Sequence, residues 1–167
     1  MSPRWAETIP SLARLLADLP TDRRRAVARV WGVEESAGSA AVYRQMTSVE
    51  AARGVRDRLD AKERLVFDTV AALRAPDRDS LRRKLPFGDD ELDALLAGLE
   101  GPGLIWPRVA RVEGGAPRQV WFVASDLLKA LARPPARLAE RPAVSAPPPL
   151  TPLEREPTAI RQFGQLA

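Results

Sequence analysis

The sequence predicts a mainly α-helical chain interrupted by one β-hairpin, and three observations carry that prediction. Ahead of the hairpin, leucines and valines recur at spacings of three and four residues, the period of one face of an α-helix. A single pair of apolar and β-branched runs, "GLIWPRVA" and "RQVWFV", flanks the turn-forming stretch "EGGAP". Beyond residue 133 the composition shifts to "RPPARLAERPAVSAPPPLTPLEREP", whose prolines predict a disordered, Pro-rich linker or tail over 134–167.

The elements follow in order. Leu12, Leu15, Leu16 and Leu19 mark a first helix that Pro20 ends. Thr21 is the expected cap of a second, "DRRRAVARVW", with Val27, Val30 and Trp31 on one face and Gly32 as its stop. A short helix holding Val42, Tyr43 and Met46 comes next. Thr47 and Glu50 have the T-x-x-E spacing of a capping box opening "SVEAARGVRDRL". Residues 1–59 therefore read as a small helical bundle. Asp60 and Glu63 form a second candidate box, for "AKERLVFDTVAAL", with Leu65, Val66, Val70 and Leu73 offered to a core. Asp79 is the expected cap of "SLRRKL", Pro86–Gly88 a tight corner, and "DDELDALLAGLE" a helix burying Leu92, Leu95, Leu96 and Leu99. "GPG" at 101–103 leads into the hairpin, and Ser125 is the expected cap of a closing helix with Leu127, Leu128 and Leu131.

Helix, helix, tight corner, helix and hairpin is the order of a winged helix-turn-helix, predicted here over 60–133. In it Leu104, Trp106, Val120 and Phe122 close the open end of a three-helix core, and the tip projects into solvent as a wing. Pro107 and Pro117 fit a two-stranded wing, where each strand has an outer edge that needs no N–H donor.

The stretch from "LADLPTDRRRAVARVWGV" through "VYRQMTSVEAARGVRDRLDAKERLVFDTVAALRAPDRDSLRRKL" to "DDELDALLAGLEGPGLIWP" resembles the helicase-associated, XPB-type N-terminal winged-helix regions of bacteria. The likeness lies in order and spacing over roughly 10–133. It implies an accessory place in DNA transactions, beside a helicase or other DNA-processing or transcription machinery. The chain has no G-x-x-x-x-G-K-[ST] phosphate loop and is not itself such a motor. A second segment, "RRRAVARVWGVEESAGSAAVYRQM", is similar in layout to SAP-type DNA-binding motifs, which would turn Arg23, Arg24 and Arg25 toward phosphate; solvation of three adjacent arginines is the plainer reading.

Composition bounds the chemistry. Cysteine and histidine are both absent, which removes the thiolate nucleophile, the usual general base and the commonest metal ligands. No catalytic residue, cofactor or metal is expected, and the chain reads as a non-enzyme. No apolar run approaches the ~20 residues of a membrane helix, and "MSPRWAET" lacks a signal-peptide core, so the expectation is a cytoplasmic protein with no membrane contact. Net charge is +4, with 23 arginines against 3 lysines. Guanidinium forks suit phosphate, although GC-rich codons also produce arginine.

Charge placement qualifies the DNA expectation. The third helix of the motif carries Asp89, Asp90 and Asp93 on its exposed face, which a phosphate-lined groove repels; these acids instead suit the helix N-terminus. The candidate DNA-backbone ligands are Arg82, Arg83 and Lys84 on the second helix and Arg108, Arg111 and Arg118 flanking the wing. The expected function is a non-catalytic module making sequence-independent DNA contacts. The alternative is a protein–protein adaptor, in which the acidic helix meets a basic partner and the wing edge pairs with a strand.

Overall fold

The computed structural model describes residues 9–111 and 113–134; the expected Pro-rich tail lies, apart from Pro134, outside the described residues. Ser11, with extended backbone, accepts the N–H of Arg14 and opens α1 (Leu12–Asp18). Then follow α2 (Thr21–Val30), α3 (Ser39–Met46) and α4 (Val49–Asp57). The capping box at Asp60 and Glu63 is formed in both directions, at 2.8 and 3.0 Å, and starts α5 (Ala61–Leu73). That helix ends at Arg74, whose φ of 68° is the left-handed conformation usually left to glycine. After α6 (Arg78–Lys84) and α7 (Asp89–Glu100), the strands β1 (Trp106–Ala110) and β2 (Arg118–Phe122) make the hairpin, and α8 (Ser125–Ala132) closes the chain.

The hairpin register pairs Trp106 with Phe122, Arg108 with Val120 and Ala110 with Arg118. On its other edge β2 meets the segment between α5 and α6, through an isolated bridge from Val120 to Asp77 and a Trp121 N–H donated to the Pro76 carbonyl at 3.1 Å. Since Trp121 spends its N–H there, its cross-strand partner Pro107 sits at a non-hydrogen-bonded position and turns toward the outer edge, where its missing donor costs nothing. The base of the ribbon is buried at Trp106, Val120, Trp121 and Phe122, and Glu113–Pro117 at the tip are exposed. Leu104 is buried with them, as expected.

Residues 1–59 and 60–133 were expected as separate segments; their described residues share one hydrophobic core. Leu12 and Leu16 of α1, Val42 and Met46 of α3, Leu92 and Leu96 of α7 and Leu127 of α8 all belong to it. Burying one such side chain fully contributes roughly 1.5–3 kcal/mol. Long-range hydrogen bonds tie the halves together, among them the bond from Arg53 to the Arg133 carbonyl and the two that follow. The Leu12 N–H at the start of α1 donates to Asp126 Oδ2 at 3.2 Å, and Trp31 Nε1 donates to the Pro102 carbonyl at 2.8 Å.

Several local expectations are corrected. Thr21 is not a cap: Pro20 holds that position, with no side-chain acceptor, and Thr21 lies inside the first turn. Thr47 does not open α4; it closes α3, its hydroxyl donating to the Tyr43 carbonyl at 2.8 Å, and Ser48 caps α4. The cap of α6 is Asp77 rather than Asp79, because the bridge to β2 ends there and the helix starts at once. Ala124, not Ser125, precedes α8, since buried Val123 and Ala124 carry the chain extended into the core before it can turn. Leu65 and Leu73 are 44% and 39% exposed, for the packed face of α5 is centred on Val66, Phe67 and Val70. Val30 is exposed as well.

Candidate nucleic-acid interface

The acidic turn at the start of α7 faces the arginines of α6. Arg82 Nε lies 2.8 Å from Asp89 Oδ1, and Arg78 reaches Asp93 at 2.8 Å and Asp89 at 3.9 Å. Lys62 of α5 pairs with Glu91 and rides 6.0 Å over the Phe87 ring; the Glu91 hydrogen bond raises its pKa. α7 thus presents Asp89, Asp90 and Asp93 outward, as expected, with Asp89 and Asp93 already engaged by guanidinium groups. Such exposed pairs are individually weak, ~0–1 kcal/mol, but each must open or be shared before its arginine can serve a phosphate.

The six candidate residues separate into groups. Arg82 is held by Asp89, Arg83 donates to the Ser80 hydroxyl at 3.2 Å, and Lys84 is exposed in the last turn of α6. Arg118 donates to Asp77 Oδ2 at 3.0 Å. The same carboxylate caps α6 through the Ser80 N–H at 2.8 Å, and hydrogen bonding from Ser80, opposed by burial and reinforced by Arg118, lowers its pKa. Arg118 accordingly lines a concavity together with Asp77, Asp79 and Asp93. Arg108 and Arg111 instead border one of about 310 Å³, floored by Ile9, Ala75, Val120 and Phe122. Among the described residues no carboxylate lines it. Of the N-terminal trio, Arg23 and Arg25 are exposed and Arg24 is half-buried.

Two cations that the sequence reading did not single out, Arg74 and Lys129, border a second concavity sharing Ile9 with the first. Among the described residues it too has no acid in its lining. Arg74 belongs to the end of α5 and Lys129 to α8, so only tertiary packing brings them to one concavity. Their one sequence signal is position at a helix end, which any C-terminal cation shares.

Among the described residues no group of acids is arranged to hold a metal ion, and no helix is long and apolar enough to cross a membrane. No known family model matches the chain, and no curated protein matches it.

Proposed function

We propose that this protein is a non-catalytic winged-helix module that contacts the DNA backbone without reading sequence, as an accessory to helicase or other DNA-processing or transcription machinery. α5, α6 and α7 are the three helices of the motif in this reading. The short pairing of Pro76–Asp77 with β2 supplies the strand between the first two, and β1 and β2 are the wing. The observation that carries the binding assignment is Arg111 at the arm of the hairpin, exposed and in no ion pair with a carboxylate among the described residues, bordering with Arg108 a concavity floored by apolar side chains. Phosphate contacts favour cations not already held by a carboxylate, which supports Arg111 over Arg82 and Arg118. Base reading through α7 is disfavoured, because Asp89, Asp90 and Asp93 would enter a groove walled by phosphates.

The test is fluorescence anisotropy with a random-sequence duplex over a salt series. Wild type binds at low salt. R108Q/R111Q lowers the slope of log affinity against log salt by roughly two units, equally for unrelated sequences. Absence of binding at low salt overturns the reading.

One observation favours the adaptor alternative: among the described residues β1 pairs only with β2, and Val109, 64% exposed, stands on its outer half. Under that reading D90A/D93A abolishes capture of a basic partner and the arginine changes do little. Under the DNA reading D90A/D93A leaves duplex affinity unchanged or slightly raised.

A further inference from the structure

We infer that Asp77 sets the strength of DNA-backbone binding by holding Arg118 away from phosphate, so that the wing carries a latent cation. This rests on the DNA-binding reading and names a control on that same surface. Asp77 is a positioning residue: it touches no phosphate itself and acts through Arg118. The hairpin register sets Arg118 opposite Ala110, one residue pair from the Arg108–Val120 pair, and so on the ribbon face that also bears Arg108. The Arg118 side chain is 62% exposed, yet its guanidinium is drawn to Asp77 Oδ2 at 3.0 Å.

The carboxylate is fastened where it stands. Its Oδ1 accepts the Ser80 N–H at 2.8 Å and caps α6. Its backbone bridges to Val120, and the Pro76 carbonyl before it takes the Trp121 N–H at 3.1 Å, so the acid is tied to the strand that carries Arg118. Its side chain is 18% exposed, against 48% and 52% for Asp89 and Asp93, which meet Arg82 and Arg78 from the surface of α7. Well-exposed pairs exchange partners at little cost. Asp77 differs, because a phosphate that took Arg118 would leave its half-buried charge without a cation and would stand beside it. Arg118 therefore adds no phosphate contact while Asp77 is charged and in place. Asparagine at 77 keeps an acceptor for Ser80 and frees the guanidinium. Asp79 is the comparison. It lines the same concavity as Asp77 and Arg118, is exposed, and ion-pairs with no cation among the described residues. Removing its charge alters the local field and releases no arginine.

The experiment measures affinity and salt slope of the full chain on the random-sequence duplex at neutral pH. D77N is expected to tighten binding at low salt and to raise the slope by about one unit, the mark of one added phosphate contact. D79N and R118Q are each expected to keep a slope near the wild-type value. D77N/R118Q returns the slope to wild type and completes a double-mutant cycle between the two residues. Destabilisation cannot imitate the D77N result, since lost folding lowers affinity; thermal unfolding is followed for every variant. A D77N slope equal to that of wild type or of D79N, with wild type binding, overturns the inference and leaves the DNA reading standing. So does a gain that persists in D77N/R118Q, because the field and not Arg118 then carries it. So does an R118Q slope already lower by about one unit, which would make Arg118 a ligand with Asp77 in place. Absence of wild-type binding at low salt removes the DNA reading and this inference together.

Discussion

Gly103 joins the N-terminal helices to the hairpin, and Gly103→Ala measures how tightly. Its φ is +75°, and a Cβ built there lies 3.1 Å from Cζ2 of Trp106, 3.4 Å from Cε of Met46 and 3.7 Å from Cγ1 of Val27. Two penalties combine. Holding a residue with a Cβ in the left-handed region costs about 1–2 kcal/mol, and overpacking a filled core adds about 1–3 kcal/mol. Met46 Cε can swing aside, but the Trp106 indole, 7% exposed, has little room to do so. The expected loss is roughly 3 kcal/mol, which in a unit of this size lowers Tm by on the order of 10 °C. Gly32→Ala is the control, because Gly32 has a φ of +69° with nothing within 4 Å of its Cβ and bears the backbone penalty alone. The assay is thermal unfolding by calorimetry and circular dichroism on matched samples, with Trp fluorescence reporting displacement of the indole. Gly103→Ala should fall about twice as far as Gly32→Ala, and a smaller ring in Gly103→Ala/Trp106→Phe should recover part of the difference. Equal drops for the two glycines would refute the packing argument and leave only the backbone effect.

The caps give a second comparison. Asp60→Ala loses the side-chain acceptor of its capping box, the bond from the Glu63 N–H, and should cost about 1 kcal/mol, or roughly 4 °C in Tm, whereas Thr21→Ala, at a position that caps nothing, should leave Tm within a degree or so. Equal shifts would mean that capping is not what Asp60 contributes. Asp77 gives a pH dependence. Its pKa is lowered in the folded state from an ordinary value of 3.8, so the stability it contributes is fully present above 3.8 and is lost as pH falls through the folded value. Asparagine keeps an acceptor for the Ser80 N–H but not the charge. The Tm gap between wild type and Asp77→Asn should therefore hold steady from neutrality to about pH 5 and close below 3.8; a gap that widens on acidification would contradict the assignment.

The sequence by itself determined the helical segments and the hairpin, because both signals are local. Leu92, Leu96 and Leu99 repeat at helical spacing and are buried, and the Trp106–Ala110 and Arg118–Phe122 runs flank a tip rich in glycine. The Asp60–Glu63 box was legible for the same reason, as both partners lie within one turn. Where a cap depended on a distant partner the sequence misled. Asp77 and Asp79 are equally good caps in isolation, and only the bridge from Asp77 to Val120 decides between them. The contiguous run Leu65, Val66, Phe67 hides which side of α5 faces inward, and the neighbouring helices choose the side holding Val66 and Phe67. Charge was the property least readable along the chain. Arginine counts do not say which cations meet carboxylates, since Arg78, Arg82 and Arg118 find theirs 7 to 41 residues away while Arg74 and Lys129, 55 positions apart, come to one concavity. Packing contacts select helix faces and bring distant side chains within Coulomb range, and neither operation leaves a local trace in the order of residues.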